Sequence, residues 1–230
     1  MFENLKIIAH MRTPIATIDP IILDSIISAA KAKELLGEKF YTGENIAGEP
    51  EDIRKMLDTI LDHQQGVYCT SIGIGDNREY VGSWSKRWNE HDEDIVKFRG
   101  RGKKRVDIGS GFYKNYHMPI VLKSYKQISF YVRGDKEKIS KLLDNYIHYL
   151  GKKGSQGYGQ IRKWEYEKVD KDYSLWKKKY PMRPIPVTEC GEEVEKLMRK
   201  GELINTSKHP VIPPYWREEK ELCIIPGEIK

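Results

Sequence analysis

Gln127-Ile128-Ser129-Phe130-Tyr131-Val132, Arg133-Gly134-Asp135, Lys136 to Leu150, Gly151-Lys152-Lys153-Gly154-Ser155-Gln156-Gly157-Tyr158-Gly159 and Gln160 to Val169 form the stretch that decides the fold. The first run is β-branched and aromatic, which suits a pleated strand. Within Lys136 to Leu150, the residues Ile139, Leu142, Leu143, Tyr146, Ile147 and Leu150 follow the i, i+3, i+4, i+7, i+8, i+11 template of an amphipathic helix. Gly151 is the expected stop, and residues 160–169 return to a strand. The order is strand, helix, Gly-rich loop, strand.

The N-terminal part repeats the first half of that order. Leu5-Lys6-Ile7-Ile8-Ala9-His10-Met11 reads as a strand, and Asp19-Pro20 reads as a helix start, with Asp as cap and Pro in the first turn. Ile22, Leu23, Ile26, Ile27 and Ala30 then recur at helical spacing until Gly37. Helix-prone residues around Ile53, Leu57 and Ile60 precede a β-branched stretch, Val67 to Ile74, which is expected to rejoin the sheet. Two strand-helix halves joined through further strands predict an α+β chain with a ferredoxin-like (RRM-like) βαββαβ domain over residues 1–170. A large β-hairpin insertion is expected at about 75–120. Residues 171–230 are punctuated by Pro181, Pro184, Pro186, Pro210, Pro213 and Pro214, with a short helix over Glu192 to Arg199. They read as an irregular C-terminal extension wrapped on the domain or on a partner.

Charge is unevenly spread. Lys plus Arg number 40 against 34 acids, but nine basic residues lie between Lys97 and Lys126 against one acid, Asp107, while Glu44 to Asp62 holds six acids against Arg54 and Lys55. Such segregation fits one surface meeting phosphate and another avoiding it. Cys69, Cys190 and Cys223 lack any paired spacing, so neither a disulfide framework nor a metal site is written in the sequence, and no cofactor is expected. With no signal-peptide pattern and no apolar run of membrane length, the expected location is the cytoplasm, away from membrane.

Four glycines with interleaved Lys152, Lys153, Ser155, Gln156 and Tyr158 exceed what a turn requires. Glycine lets backbone N–H groups approach a phosphate, lysine neutralises it, and tyrosine stacks on a base. The loop follows a helix and lacks GxxxxGK[ST], so it is not a nucleotide-binding P-loop.

Gly154-Ser155-Gln156-Gly157-Tyr158-Gly159 after an amphipathic helix resembles the glycine-rich loop of the RAMP superfamily of CRISPR-associated RNA-binding proteins. Within it the likeness is to the type IV subunit that stands where other systems place their guide-RNA 5′-handle-binding protein. His10-Met11-Arg12-Thr13-Pro14-Ile15-Ala16 with Asp19-Pro20-Ile21-Ile22-Leu23-Asp24 resembles that family's N-terminal motif, and Met182-Arg183-Pro184-Ile185-Pro186 resembles its Met-Arg-Pro element. The resemblance implies a non-catalytic subunit gripping the guide RNA (crRNA) 5′ handle beside backbone and large subunits of a CRISPR effector complex, with target DNA near the complex as a further partner.

The expected RNA contacts are Lys152, Lys153, Gly154, Ser155, Gln156, Gly157 and Tyr158, with His10, Arg12 and Arg183, and with Arg99, Arg101, Lys103, Lys104 and Arg105 as a clamp on the hairpin. Two other readings compete. His10 could act as the base of a metal-independent precursor-RNA endonuclease, with His117 a weaker candidate. Alternatively the chain is a protein-interaction module that never touches RNA. Trp84, Trp88 and Trp164 receive no functional role, because large aromatics usually fill cores or subunit contacts.

Overall fold

The computed structural model describes residues 1–42, 50–89, 91, 105–191, 205–215 and 219–227. Strand β1 (Glu3–Met11) is central. It pairs antiparallel with β7 (Gln127–Gly134) from Glu3 opposite Gly134 to His10 opposite Gln127. Its other edge takes β8 (Ile161–Lys168), also antiparallel, giving the order β7-β1-β8. The free edge of β7 is met by single bridges, Leu61 to Gly134, Thr70 to Val132 and Ile74 to Ser129. The β-branched stretch after residue 60 therefore reaches the sheet only at intervals, with a short hairpin of β3 (His63–Gln64) and β4 (Val67–Tyr68) between contacts.

Helices α1 (Leu23–Leu36), α3 (Pro50–Leu57) and α4 (Lys136–Tyr146) supply the apolar cover of this sheet, and α2 (Lys39–Thr42) follows α1. Ile139, Leu142 and Leu143 of α4 join Leu23, Ile26, Ile27 and Ala30 of α1 over Leu5, Ile7, Ala9, Phe130 and Val132. Each fully buried aliphatic side chain contributes about 1.5–3 kcal/mol. Asp135 caps α4 as its side chain accepts from the Lys138 N–H at 3.1 Å.

Two expected helix limits are corrected. Helix α1 begins at Leu23, beyond Asp19-Pro20, because the Leu23 N–H donates to the Ser71 carbonyl at 3.2 Å and needs no side-chain cap. Helix α4 ends at Tyr146, a turn before Gly151, because the strand that follows captures the next backbone groups: Ile161 N–H donates to His148, the Trp164 indole to Ile147 at 3.1 Å, and Leu150 N–H to Gly159. Ile147 and Leu150 stay buried in the same core.

A second sheet stands beside the first. Strand β5 (Asn77–Lys86) pairs with β6 (Tyr116–Tyr125) from Asn77 opposite Tyr125 to Lys86 opposite Tyr116, and β6 takes β2 (Ile15–Ala16) on its other edge. This is the hairpin arm.

The chain beyond residue 170, expected to be irregular, forms short strands. These are the pair β9 (Trp176–Lys177) and β10 (Tyr180–Pro181), and a sheet of β11 (Ile185–Pro186), β13 (Glu221–Ile224) and β12 (Thr206–His209). A small core unites this segment with the domain: Leu175, Ile185, Cys190, Val211, Cys223 and Ile224 pack with Val67 and Cys69. The expected helix over 192–199 lies outside the described residues. Among the described residues no helix is long and apolar enough to cross a membrane.

Candidate nucleic-acid interface

The Gly-rich loop is pinned to the segment that leaves β1. Lys152 N–H donates to the Ala16 carbonyl at 2.8 Å, Gly159 N–H to Pro14 at 2.7 Å, and Arg12 N–H to Gln160 at 2.8 Å. The Thr13 hydroxyl donates to the Gly157 carbonyl at 2.7 Å and accepts the Gln160 N–H at 2.8 Å, which locks the C-terminal side of the loop. Gly159 has φ +72°, and a Cβ there would lie 1.9 Å from the Leu150 carbonyl oxygen. Only glycine fits that closure.

Between these anchors Gly154–Gln156 forms one 3₁₀ turn, flanked by Lys153 at φ 64° and Gly157 at φ 86°. Lys152, Ser155, Gln156 and Gly157 are exposed, and Gly154 and Tyr158 half-buried. The backbone N–H groups of Lys153, Gly154 and Ser155 have no hydrogen-bond partner among the described residues. Successive free amides beside lysines form a concavity suited to an anion.

Lys153 differs from Lys152. Its ammonium lies 3.2 Å from the centroid of the Trp84 ring on β5, and Trp84 in turn packs against Tyr116 of β6 at 4.7 Å between centroids. Trp84, assigned no role from sequence, therefore ties the loop to the hairpin, a contact worth about 0.5–2 kcal/mol. Lys152 is the cation left open to solvent.

At the end of β1, the Nε2 of His10 lies 2.8 Å from Glu165 Oε2, which also receives the Lys163 ammonium at 3.3 Å. Those two contacts, His10 first, hold the Glu165 carboxyl below the usual carboxylate range. Arg12 is exposed beside the loop. His117 lies on the hairpin, its Nδ1 2.6 Å from the Ser85 hydroxyl, on a different sheet from His10.

On the hairpin, Arg105 is exposed, whereas Arg99, Arg101, Lys103 and Lys104 lie outside the described residues. Near its tip Trp88 packs edge-on against Tyr113 at 4.7 Å, and Lys86 lies 4.7 Å over the Phe112 ring. Trp164 is committed to the core.

Arg183 is a correction. It has no exposed surface, so it cannot meet RNA in this fold. Its Nη1 donates to Asp24 Oδ2 at 2.7 Å, to the Tyr68 carbonyl at 2.7 Å and to Thr70 Oγ1 at 2.9 Å, and its Nη2 donates to the Val211 carbonyl at 3.0 Å and the Tyr215 hydroxyl at 3.2 Å. The Tyr215 hydroxyl donates to the other Asp24 oxygen. Met-Arg-Pro and Leu23-Asp24, two family-like segments, thus meet in one buried ion pair that joins the C-terminal segment to α1.

The three cysteines are buried in the second core. Burial, then Asp62 and Asp172, push the Cys69 thiol up to about 12.

A family model described as CRISPR type IV associated protein Csf3 matches residues 82–225, from the hairpin through the Gly-rich loop to the last strand. No curated protein matches the chain.

Proposed function

The chain belongs to the CRISPR type IV associated protein Csf3 family, and on that premise we propose that it is the non-catalytic subunit of a type IV CRISPR ribonucleoprotein that holds the 5′ handle of the guide RNA. The observation that carries this reading is the Gly-rich loop, anchored on both sides to residues 12–16 while its amides, Lys152, Ser155 and Gln156 face outward. A phosphate turn laid on those amides would meet Lys152, and Tyr158, half-buried in the same loop, would stack an adjoining base. The hairpin, fixed to the loop through Trp84 and Lys153, would then close over the strand, with Arg105 and the proposed contacts Arg99, Arg101, Lys103 and Lys104 in the segment that joins its two strands beyond Lys86 and Tyr116.

A ferredoxin-like reading of the main sheet supports this. With the bridged segment 61–74 counted as an interrupted strand, the order becomes β8, β1, β7, then that segment, the arrangement of a βαββαβ domain with α1 and α4 on one face. Backbone and large subunits of the complex are the proposed protein neighbours, target DNA a further one, and the cytoplasm the location.

The loop is tested by titrating the chain with repeat-derived RNA at several salt concentrations. Lys152→Ala should make the salt dependence of binding shallower by about 0.7 per lost phosphate contact. An unchanged slope would remove the loop as a phosphate site.

The 2.8 Å contact of His10 with Glu165 favours one second reading. A carboxylate that fixes an imidazole can prepare a base for a ribose 2′-hydroxyl. Precursor RNA incubated with chelator should stay intact; defined cleavage products lost in His10→Ala would replace the non-catalytic reading.

A further inference from the structure

A groove of about 960 Å³ opens where the base of the hairpin meets the face of β7 that turns away from the helices. That size is at the upper end of the range of about 300–1,000 Å³ for small-ligand sites. Three cations from separate segments line it: Arg78 from β5, Lys126 from the turn before β7, and Lys177 from β9. None has an ion-pair partner among the described residues. Elsewhere on the same sheet face the cations are neutralised, Lys6 by Glu167 at 3.2 Å and Lys163 by Glu165 at 3.3 Å. The groove contains one acid, Asp76.

Tyr131 forms part of the wall, its ring held edge-on by Tyr173 at 5.4 Å with the Lys177 ammonium 6.0 Å from its centroid. Asn77 and Gln127 add side-chain amides. Gly75 brings the opposite wall so near that a Cβ would lie 2.4 Å from the Gln127 carbonyl oxygen, which fixes the width there. Cations, an aromatic ring and amide groups in one open groove match the phosphate, base face and base edge of a nucleotide. The groove also adjoins the loop through the end of β1. Met11 N–H donates to the Lys126 carbonyl, His10 stands opposite Gln127, and Arg12 N–H bonds to Gln160 beyond the loop.

We propose that this groove is a second nucleotide subsite, taking a single-stranded nucleotide of the guide RNA that adjoins the stretch on the Gly-rich loop. The inference rests on the guide-RNA reading above. Its phosphate lies against Arg78, Lys126 and Lys177, its base against Tyr131, and Asn77 and Gln127 read its edge.

The test uses the full chain assembled with its neighbouring subunits on a guide RNA transcribed from its own array, with 4-thiouridine placed at successive 5′ positions. Photocrosslinking and peptide mapping should give adducts in residues 125–131 at one or two positions and adducts in residues 152–158 at neighbouring ones. Adducts on the loop without any at the groove overturn the subsite and leave the guide-RNA reading standing. No adduct anywhere on this chain, with RNA present in the complex, overturns both. As a second measurement, Arg78→Ala with Lys126→Ala, both exposed, should keep the thermal midpoint and make the salt slope of binding shallower by about 1.4, the value for two single-strand phosphate contacts. An unchanged slope, as expected if the groove serves an acidic protein partner, overturns the subsite.

Discussion

Replacing Arg183 by Ala removes the hub that joins the C-terminal segment to the domain. Arg183 and Asp24 both have no exposed surface, and in the variant Asp24 would keep only the Tyr215 hydroxyl as its side-chain partner. The Tyr68 and Val211 carbonyls and Thr70 Oγ1 would lose a charged donor at the same time. Breaking a buried pair by deleting one partner costs about 3–5 kcal/mol. In a chain of this size about 1 kcal/mol moves the midpoint by 2–4 °C, so thermal unfolding should shift down by about 6–20 °C. Arg183→Lys should recover only part of that loss, because an ammonium keeps the charge without the planar fork that reaches six acceptors, the Pro184 carbonyl among them. Asp24→Asn combined with Arg183→Ala should cost less than the sum of the singles, since the stranded carboxylate is gone. A shift below about 2 °C for Arg183→Ala would refute the reasoning, for it would mean that water reaches the guanidinium and no buried pair exists.

Further outcomes follow from the loop and the thiols. Gly159→Ala should disrupt the loop closure and lower both stability and RNA affinity, because its Cβ meets a backbone carbonyl; Gly157→Ala, with nothing within 4 Å, should cost only about 1 kcal/mol, measured by urea unfolding. A double-mutant cycle on Trp84→Ala and Lys153→Ala should give a coupling of about 0.5–2 kcal/mol, and zero coupling would separate the hairpin from the loop. Alkaline stability should fall. The Cys69 thiol, raised from 9.0 to about 12 in the fold, loses its proton more readily when unfolded, so its contribution is complete below pH 9 and is lost as pH rises toward 12. Iodoacetamide at pH 8 should label no cysteine of the native chain and all three after denaturation, and labelling of the folded chain would contradict the burial.

Local chemistry made the strand at 127–132, the body of α4 and its Asp135 cap readable, because each depends on near neighbours. Where a distant segment competes, local chemistry does not decide the structure. The last turn of α4 yields to backbone partners on β8, and α1 starts where Ser71 supplies an acceptor, neither of which periodicity encodes. Sequence alone makes Arg183 an RNA contact because its local setting, Met-Arg-Pro, says nothing of Asp24, which lies 159 positions away in sequence. The Gly-rich loop stood out by composition, yet the different environments of Lys152 and Lys153 depend on Trp84 across two sheets. The groove was illegible for the same reason, its lining being drawn from residues 74–78, 124–131 and 177.

The most direct test of the account is purification of the chain from a host expressing its native neighbours, followed by sequencing of the bound RNA and mapping of its 5′ ends. A discrete repeat-derived 5′ handle, released when Lys152 and the loop amides are disrupted by Lys152→Ala with Gly159→Ala, is the predicted result. Random RNA, or a complex that assembles with no RNA on this chain, would contradict it and leave the hairpin and loop as a protein-docking surface.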